Sequence, residues 1–96
     1  MDIVVDSFIK SIFGFTFLTS TNQIIQEEIR YCMISMICSH RYEKNDTFIQ
    51  EIKEQGHSLN FEIIRDVMYK YSKVAEDTFL SDPINAFFLI KFAEYN

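Results

Sequence analysis

The sequence predicts an all-α fold, a helical hairpin or coiled-coil-like bundle of four or five helices. Three observations carry this. Apolar residues recur at intervals of three and four over long stretches, the period of one helix face rather than the alternation of a strand. Only two Gly and one Pro occur in 96 residues, too few for the tight turns of an all-β domain. Hydrophobic residues make up 48% of the chain, with ten Phe and five Tyr, which excludes a disordered tail and supplies one modest core.

Residues 1–18 are open to two readings. Phe8-Ile-Lys-Ser-Ile-Phe-Gly-Phe-Thr-Phe-Leu18 has the length of a signal-peptide core. Against that, Asp2 and Asp6 replace a basic start, Lys10 interrupts the run and no Ala-x-Ala-like site follows. The run is also too short to span a bilayer. The other reading is a docking helix whose face is Ile3, Val4, Ser7, Phe8, Ser11 and Ile12.

The next helix opens at Ser20 and Gln23, which have capping-box spacing. Its stripe is Ile25, Ile29, Cys32, Met33, Met36, Ile37 and His40. The pattern fails at Tyr42-Glu-Lys-Asn-Asp46, a polar cluster suited to a turn. A connection this short makes antiparallel neighbours of the flanking helices, a hairpin about which the rest is built.

The second helix of that hairpin opens at Asp46 or Thr47 and carries Phe48, Ile49 and Ile52. Gly56, in Gln55-Gly-His-Ser58, costs about 1 kcal/mol relative to Ala inside a helix, so a kink or break is expected there. Ser58 and Asn60 are good caps for a fresh start. Beyond them Leu59, Ile63, Val67, Tyr71 and Val74 keep a three-four stripe, and Asp66 and Lys70 form a favourable i, i+4 pair.

The last helix has a marked start. Asp82 accepts from the free N–H groups of the first turn, and its charge suits the positive helix end. Pro83 follows at the first helical position, where its missing N–H costs nothing. Ile84, Phe87 and Phe88 recur behind it, and Phe79 and Leu80 are placed to pack back as a hydrophobic staple.

These residues also resemble a known segment. Leu80-Ser-Asp-Pro-Ile-Asn-Ala-Phe-Phe-Leu-Ile-Lys91 resembles the (F/Y)-L-S-(N/H)-P-(L/V)-N-A-(F/Y)-x-L-I-K-R-L segment of the N-terminal domain of prolyl 4-hydroxylase α subunits. Phe17-Leu-Thr-Ser-Thr-Asn-Gln-Ile-Ile25 is similar to the F-(F/Y)-T-S opening of the same domain, which a hydrophobic helix follows. Residues 17–96 would be nearly the whole domain, although Lys91-Phe-Ala-Glu-Tyr95 departs from the family's Lys-Arg-Leu continuation.

The resemblance implies a non-catalytic dimerisation domain. In the family this domain joins two α subunits through coiled-coil contacts, within an endoplasmic-reticulum enzyme that also contains protein disulfide isomerase. The family's catalytic domain uses Fe(II), 2-oxoglutarate and ascorbate to hydroxylate prolines of procollagen. Asp82, Pro83, Asn85, Phe87 and Phe88 would be the cap and core of the motif in this chain.

Several function classes are disfavoured. A net charge of −5, with nine scattered Lys and Arg, argues against nucleic acid and anionic membrane surfaces. Cys32 and Cys38, six residues apart on one helix, lie about 9 Å apart along its axis and cannot bridge each other. Apolar packing or a bridge between chains remains for them. His40 and His57 are the only histidines, and neither begins a His-x-Asp pair, so two histidines and a carboxylate for iron are not available. No phosphate loop, Cys-x-x-Cys zinc pattern or nucleophile elbow is present. No catalysis, metal or cofactor is expected of this chain alone.

Association is the expected role. Ile52, Leu59, Ile63, Val67, Tyr71 and Val74 form the expected interface, widened by Ile24, Cys32, Phe61, Ile64 and Met68 beyond one hairpin seam. The partner would be a second copy or a full-length α subunit. An unrelated small cytosolic helical adaptor or regulator is the alternative.

Overall fold

The computed structural model describes residues 2–39 and 41–95 and is all-α. Helix α1 spans Asp2–Phe13. Its buried face is Val5, Phe8, Ile9, Ile12 and Phe13. That face is rotated from the expected one: Phe8 and Ile12 are shared, but Val4 is 45% exposed and Ser7 also faces solvent. The side chain of Ile3 lies outside the described residues. The rotation follows from Val5, Ile9 and Phe13 adding an apolar edge that meets helices on more than one side, since α1 packs against three long helices named below. Gly14, at φ +99°, ends α1 in the left-handed conformation that closes many helices, its N–H reaching Lys10 O at 3.1 Å.

A single turn, α2 (Phe17–Ser20), tucks Phe17 between Phe13 and Tyr95, at ring-centroid distances of 4.9 and 5.4 Å. Helix α3 spans Gln23–Cys38. Its N-cap is Asn22, whose side chain accepts from Ile24 N at 2.8 Å, and not Ser20, whose hydroxyl donates back to Thr16 O at 2.8 Å. Ser20 still belongs to the preceding turn, and the backbone extends at Thr21 and Asn22 before α3 begins, which leaves Asn22 as the residue placed to cap it. Ile29, Cys32, Met33, Met36 and Ile37 are buried as the stripe implies, with Ile25 partly so. The expected continuation at His40 lies outside the described residues.

Helix α4 spans Asn45–Gln55 and helix α5 spans Phe61–Tyr71. Gly56, at φ +51°, breaks the helix outright, a short 3-10 turn follows over Gly56–Ser58, and Asn60 caps α5 by accepting from Ile63 N at 2.9 Å. The hairpin of the fold is therefore α4–α5. The expected pairing of the 20–40 helix with the 46–55 helix does not form: α3 packs chiefly on α1 and α6, and α4 on α5 and α1. The cause is the connection itself. Tyr42 is buried rather than turned to solvent, and it pairs with Ser72 in an isolated antiparallel bridge. Glu43 N donates to Tyr71 O at 2.6 Å and Lys73 N to Arg41 O at 3.1 Å. These bonds lay residues 41–43 beside the end of α5 and carry α4 away from α3.

A 3-10 segment, Glu76–Ser81, buries Phe79 and leads into α6, Pro83–Tyr95. Helix α6 packs on α3, with contacts to α5 and α1. Its inner residues Asn85, Phe88, Leu89 and Phe92 are buried, and Phe13 meets Phe88 and Phe92 edge-on at 6.0 and 6.2 Å. All three long flanking helices, α3, α4 and α6, thus converge on α1.

Candidate functional site

The start of α6 gathers polar groups from several parts of the chain, with Asn85 buried among them. Asp82 Oδ1 accepts from Ile84 N at 2.9 Å and Asn85 N at 3.4 Å, as expected of an N-cap before Pro83. Its other oxygen pairs with Arg41 Nη1 at 2.5 Å. Asn85 is 1% exposed; its Oδ1 accepts from Tyr42 Oη and its Nδ2 donates to Phe79 O at 3.2 Å. Tyr42 in turn stacks flat on Phe48, centroids 4.3 Å apart. Cys32 Sγ lies 3.7 Å from Ile84 O, to which it donates.

Burial pushes the Cys32 thiol up to about 12, with the nearby Arg41 guanidinium opposing that rise and Asp82 adding to it. Burial also holds the Tyr42 phenol well above the usual tyrosine range, reinforced by Asp82. Both groups are protonated donors at neutral pH, and a thiol so held is a poor nucleophile. The network joins four parts of the chain, namely α3, the 41–43 connection, the 3-10 segment and α6. Its chemistry is that of a clasp.

Phe88 is buried as expected, but Phe87 is only half-buried, because Leu89 and Phe92 take the remaining inward positions of α6. Of the staple, Phe79 packs inward and Leu80 stays 63% exposed.

The expected interface stripe requires a larger correction. Ile52 and Val67 are 0% and 7% exposed within the single chain, and Leu59, Ile63 and Tyr71 pack partly buried against the same core. Helix α5 ends at Tyr71, so Val74 lies off the helix. The α4–α5 hairpin folds these side chains inward, and α6 covers the other flank of α5. Lys70 pairs with Glu51 at 3.3 Å across that hairpin, whereas Asp66 pairs with Arg65 at 3.3 Å. The Tyr71 hydroxyl donates to Glu51, and this bond, ahead of Lys70, holds the Glu51 carboxyl below its usual range.

Two open grooves flank α6. One, of about 320 Å³, is lined by Phe61, Leu80, Ala86, Leu89, Ile90 and Ala93. Phe61, Leu80 and Ile90 there are 41%, 63% and 57% exposed. The other, of about 500 Å³, lies between α3 and α6 and is lined by Ile24, Glu27, Glu28, Tyr31, Cys32, Pro83, Ile84 and Phe87. Tyr42 and Ile90 stand outside the residues expected to form the interface or the α6 core. Tyr42 was hidden in a polar cluster, where a lone large aromatic is the signal. Ile90 lay off the chosen stripe, although the unbroken run Phe87-Phe-Leu-Ile90 leaves no polar side to that part of α6.

Among the described residues no three His, Cys, Asp or Glu side chains converge as a metal-binding group, and no helix is long and apolar enough to cross a membrane. No protein-family model, curated protein or solved structure matches the chain.

Proposed function

We propose that the chain is a non-catalytic association module that pairs through the outer face of α6 with a second copy of itself. The observation that carries this is the exposure of α6. Large apolar side chains are usually withdrawn from water, yet Ile90 of α6 stands exposed, with Leu80 of the 3-10 segment and Phe61 of α5 exposed beside it, so one flank of α6 is open to water. That flank suits a two-fold contact, in which side chains near the axis meet their own copies. None of the residues lining its groove is ionisable, so no like charges meet in a chain of net charge −5.

The motif resemblance supports a more specific form of this reading. The residues that resemble the prolyl 4-hydroxylase segment are those that cap, clasp and bury the start of α6, namely Asp82, Pro83, Asn85 and Phe88. In that form the partner is the corresponding domain of a full-length α subunit, in the endoplasmic reticulum with protein disulfide isomerase. Fe(II), 2-oxoglutarate and ascorbate would then serve the full-length subunit's catalytic domain.

Sedimentation equilibrium at micromolar concentration tests the reading. The wild type is expected to dimerise, and Ile90→Glu and Leu80→Glu to be folded monomers, because each would bury an unpartnered carboxylate in the contact. A wild type that is monomeric at every concentration overturns self-association. Failure to pair with a purified full-length α subunit overturns the more specific form.

A further inference from the structure

We infer that the second groove, between α3 and α6, takes an amphipathic helix bearing lysine or arginine from a partner protein. This rests on reading the chain as an association module, and it makes that module a bridge between a second copy on one side of α6 and a cationic helix on the other.

The groove has the form such a ligand needs. Arg41, just past α3, meets Asp82 at the start of α6, and Cys32 of α3 meets Ile84, so the two helices are joined as the walls of the groove. A third helix seats between such a pair as ridges in a groove, with apolar anchors at three-four spacing. Ile24 and Tyr31, two turns apart on α3, stand 66% and 73% exposed along one wall. The opposite wall is Pro83, Ile84 and Phe87. At the floor, the Cys32 thiol is already bonded to the Ile84 carbonyl, leaving an apolar lining with no polar demand on the ligand.

Charge selects among the occupants. Glu27 and Glu28 sit between the two exposed anchors, and among the described residues no lysine or arginine pairs with either. Glu27 accepts a hydrogen bond from the side-chain amide of Gln23 at 3.3 Å. The cations near the groove are paired elsewhere: Arg30 with Asp6 at 3.0 Å, Arg41 with Asp82 at 2.5 Å, and Lys91, which rests over the Phe87 ring, with Glu94 at 3.3 Å. Two uncompensated carboxylates on an apolar groove favour a cationic ligand. A second copy, at −5, and an anionic membrane would both bring more negative charge to this rim.

The test uses a fluorescein-labelled synthetic helix of about four turns, with leucines at three-four spacing and flanking lysines. Its counterpart carries glutamates in place of the lysines. Fluorescence anisotropy against the full chain is expected to show saturable binding of the lysine helix, weakening as salt rises, and none of the glutamate helix. Glu27→Lys/Glu28→Lys should weaken the lysine helix by about tenfold or more and admit the glutamate helix. Backbone amide shifts in nuclear magnetic resonance should move at residues 24–31 and 83–87. Ile90→Glu should abolish dimerisation yet leave this binding intact, which separates the two surfaces. Equal affinity for both helices, indifference to the charge reversal, or shifts confined elsewhere would overturn the inference. So would a wild-type dimer that Ile24→Asp dissociates, since a second copy would then fill the groove.

Discussion

Asn85 has its place set by its partners. A buried amide costs several kcal/mol when left without hydrogen bonds, and here both ends are used, by Tyr42 Oη and by Phe79 O. Tyr42→Phe keeps the ring stack on Phe48 and removes one donor. It is expected to lower stability by about 1–3 kcal/mol, the penalty for an acceptor stranded in a core. Urea midpoints of the two proteins that coincide would show that the pair contributes nothing. Cys32 gives a pH signature of the same clasp. Its proton is lost near 9.0 when unfolded and near 12 when folded, so the folded chain holds more protons between those values. Stability from this group is complete below the lower value and falls as pH rises toward the upper one. Tyr42, raised by burial, adds a decline of the same sign above 10.0. Cys32→Ala should therefore show a shallower loss of stability from pH 9 to about 10.5 than the parent, read from urea midpoints. Parallel slopes would mean the thiol is equally solvated in both states.

Helix α6 shows what local rules reach. Asp82 and Pro83 place its start because capping and a missing N–H are properties of neighbouring residues, independent of the rest of the fold. Its inward face is harder to read: Phe87, Phe88, Leu89 and Ile90 follow in succession, so within that turn hydrophobicity does not separate one side from another, and only Lys91 and Glu94 further on share the face of Phe87. The two phenylalanines are consequently unequal. Phe88→Ala, at 2% exposure, should cost about 3–5 kcal/mol. Phe87→Ala, half-buried at a groove wall, should cost less than about 2 kcal/mol, in keeping with the smaller area it withdraws from water. Thermal melts in which Phe87→Ala is as damaging as Phe88→Ala would refute this assignment of the helix faces. Gly56 is the complementary case at a helix end. Its positive φ lets the chain reverse between α4 and α5, so of the kink or break expected from propensity it is the break that forms.

At the scale of the molecule, the neighbours of each helix decide which apolar surface is left over. The Ile52, Leu59, Ile63, Val67 and Tyr71 stripe is consumed by the α4–α5 hairpin and its contact with α6. Val67→Glu should accordingly destabilise the chain itself, since it buries an unpaired carboxylate in the core. The expected result is loss of the cooperative far-ultraviolet melt, while Ile90→Glu melts like the parent protomer. A folded Val67→Glu monomer beside a dimeric wild type would return the interface to that stripe.

The all-α class, the break near Gly56 and the capped start of α6 were legible in the chain alone, because each depends on spacing or chemistry within a few residues. The buried parts of the α3 stripe were legible for the same reason, as a three-four period reads a face whatever covers it. Which helices pair was not. That rests on Tyr42 joining Ser72, Phe48 and Asn85, contacts made by residues up to 43 positions apart, which local periodicity does not encode. The open surface follows from the pairing: only the folded chain spends Ile52 and Val67 in its core and leaves Leu80, Ile90, Ile24 and Tyr31 in water.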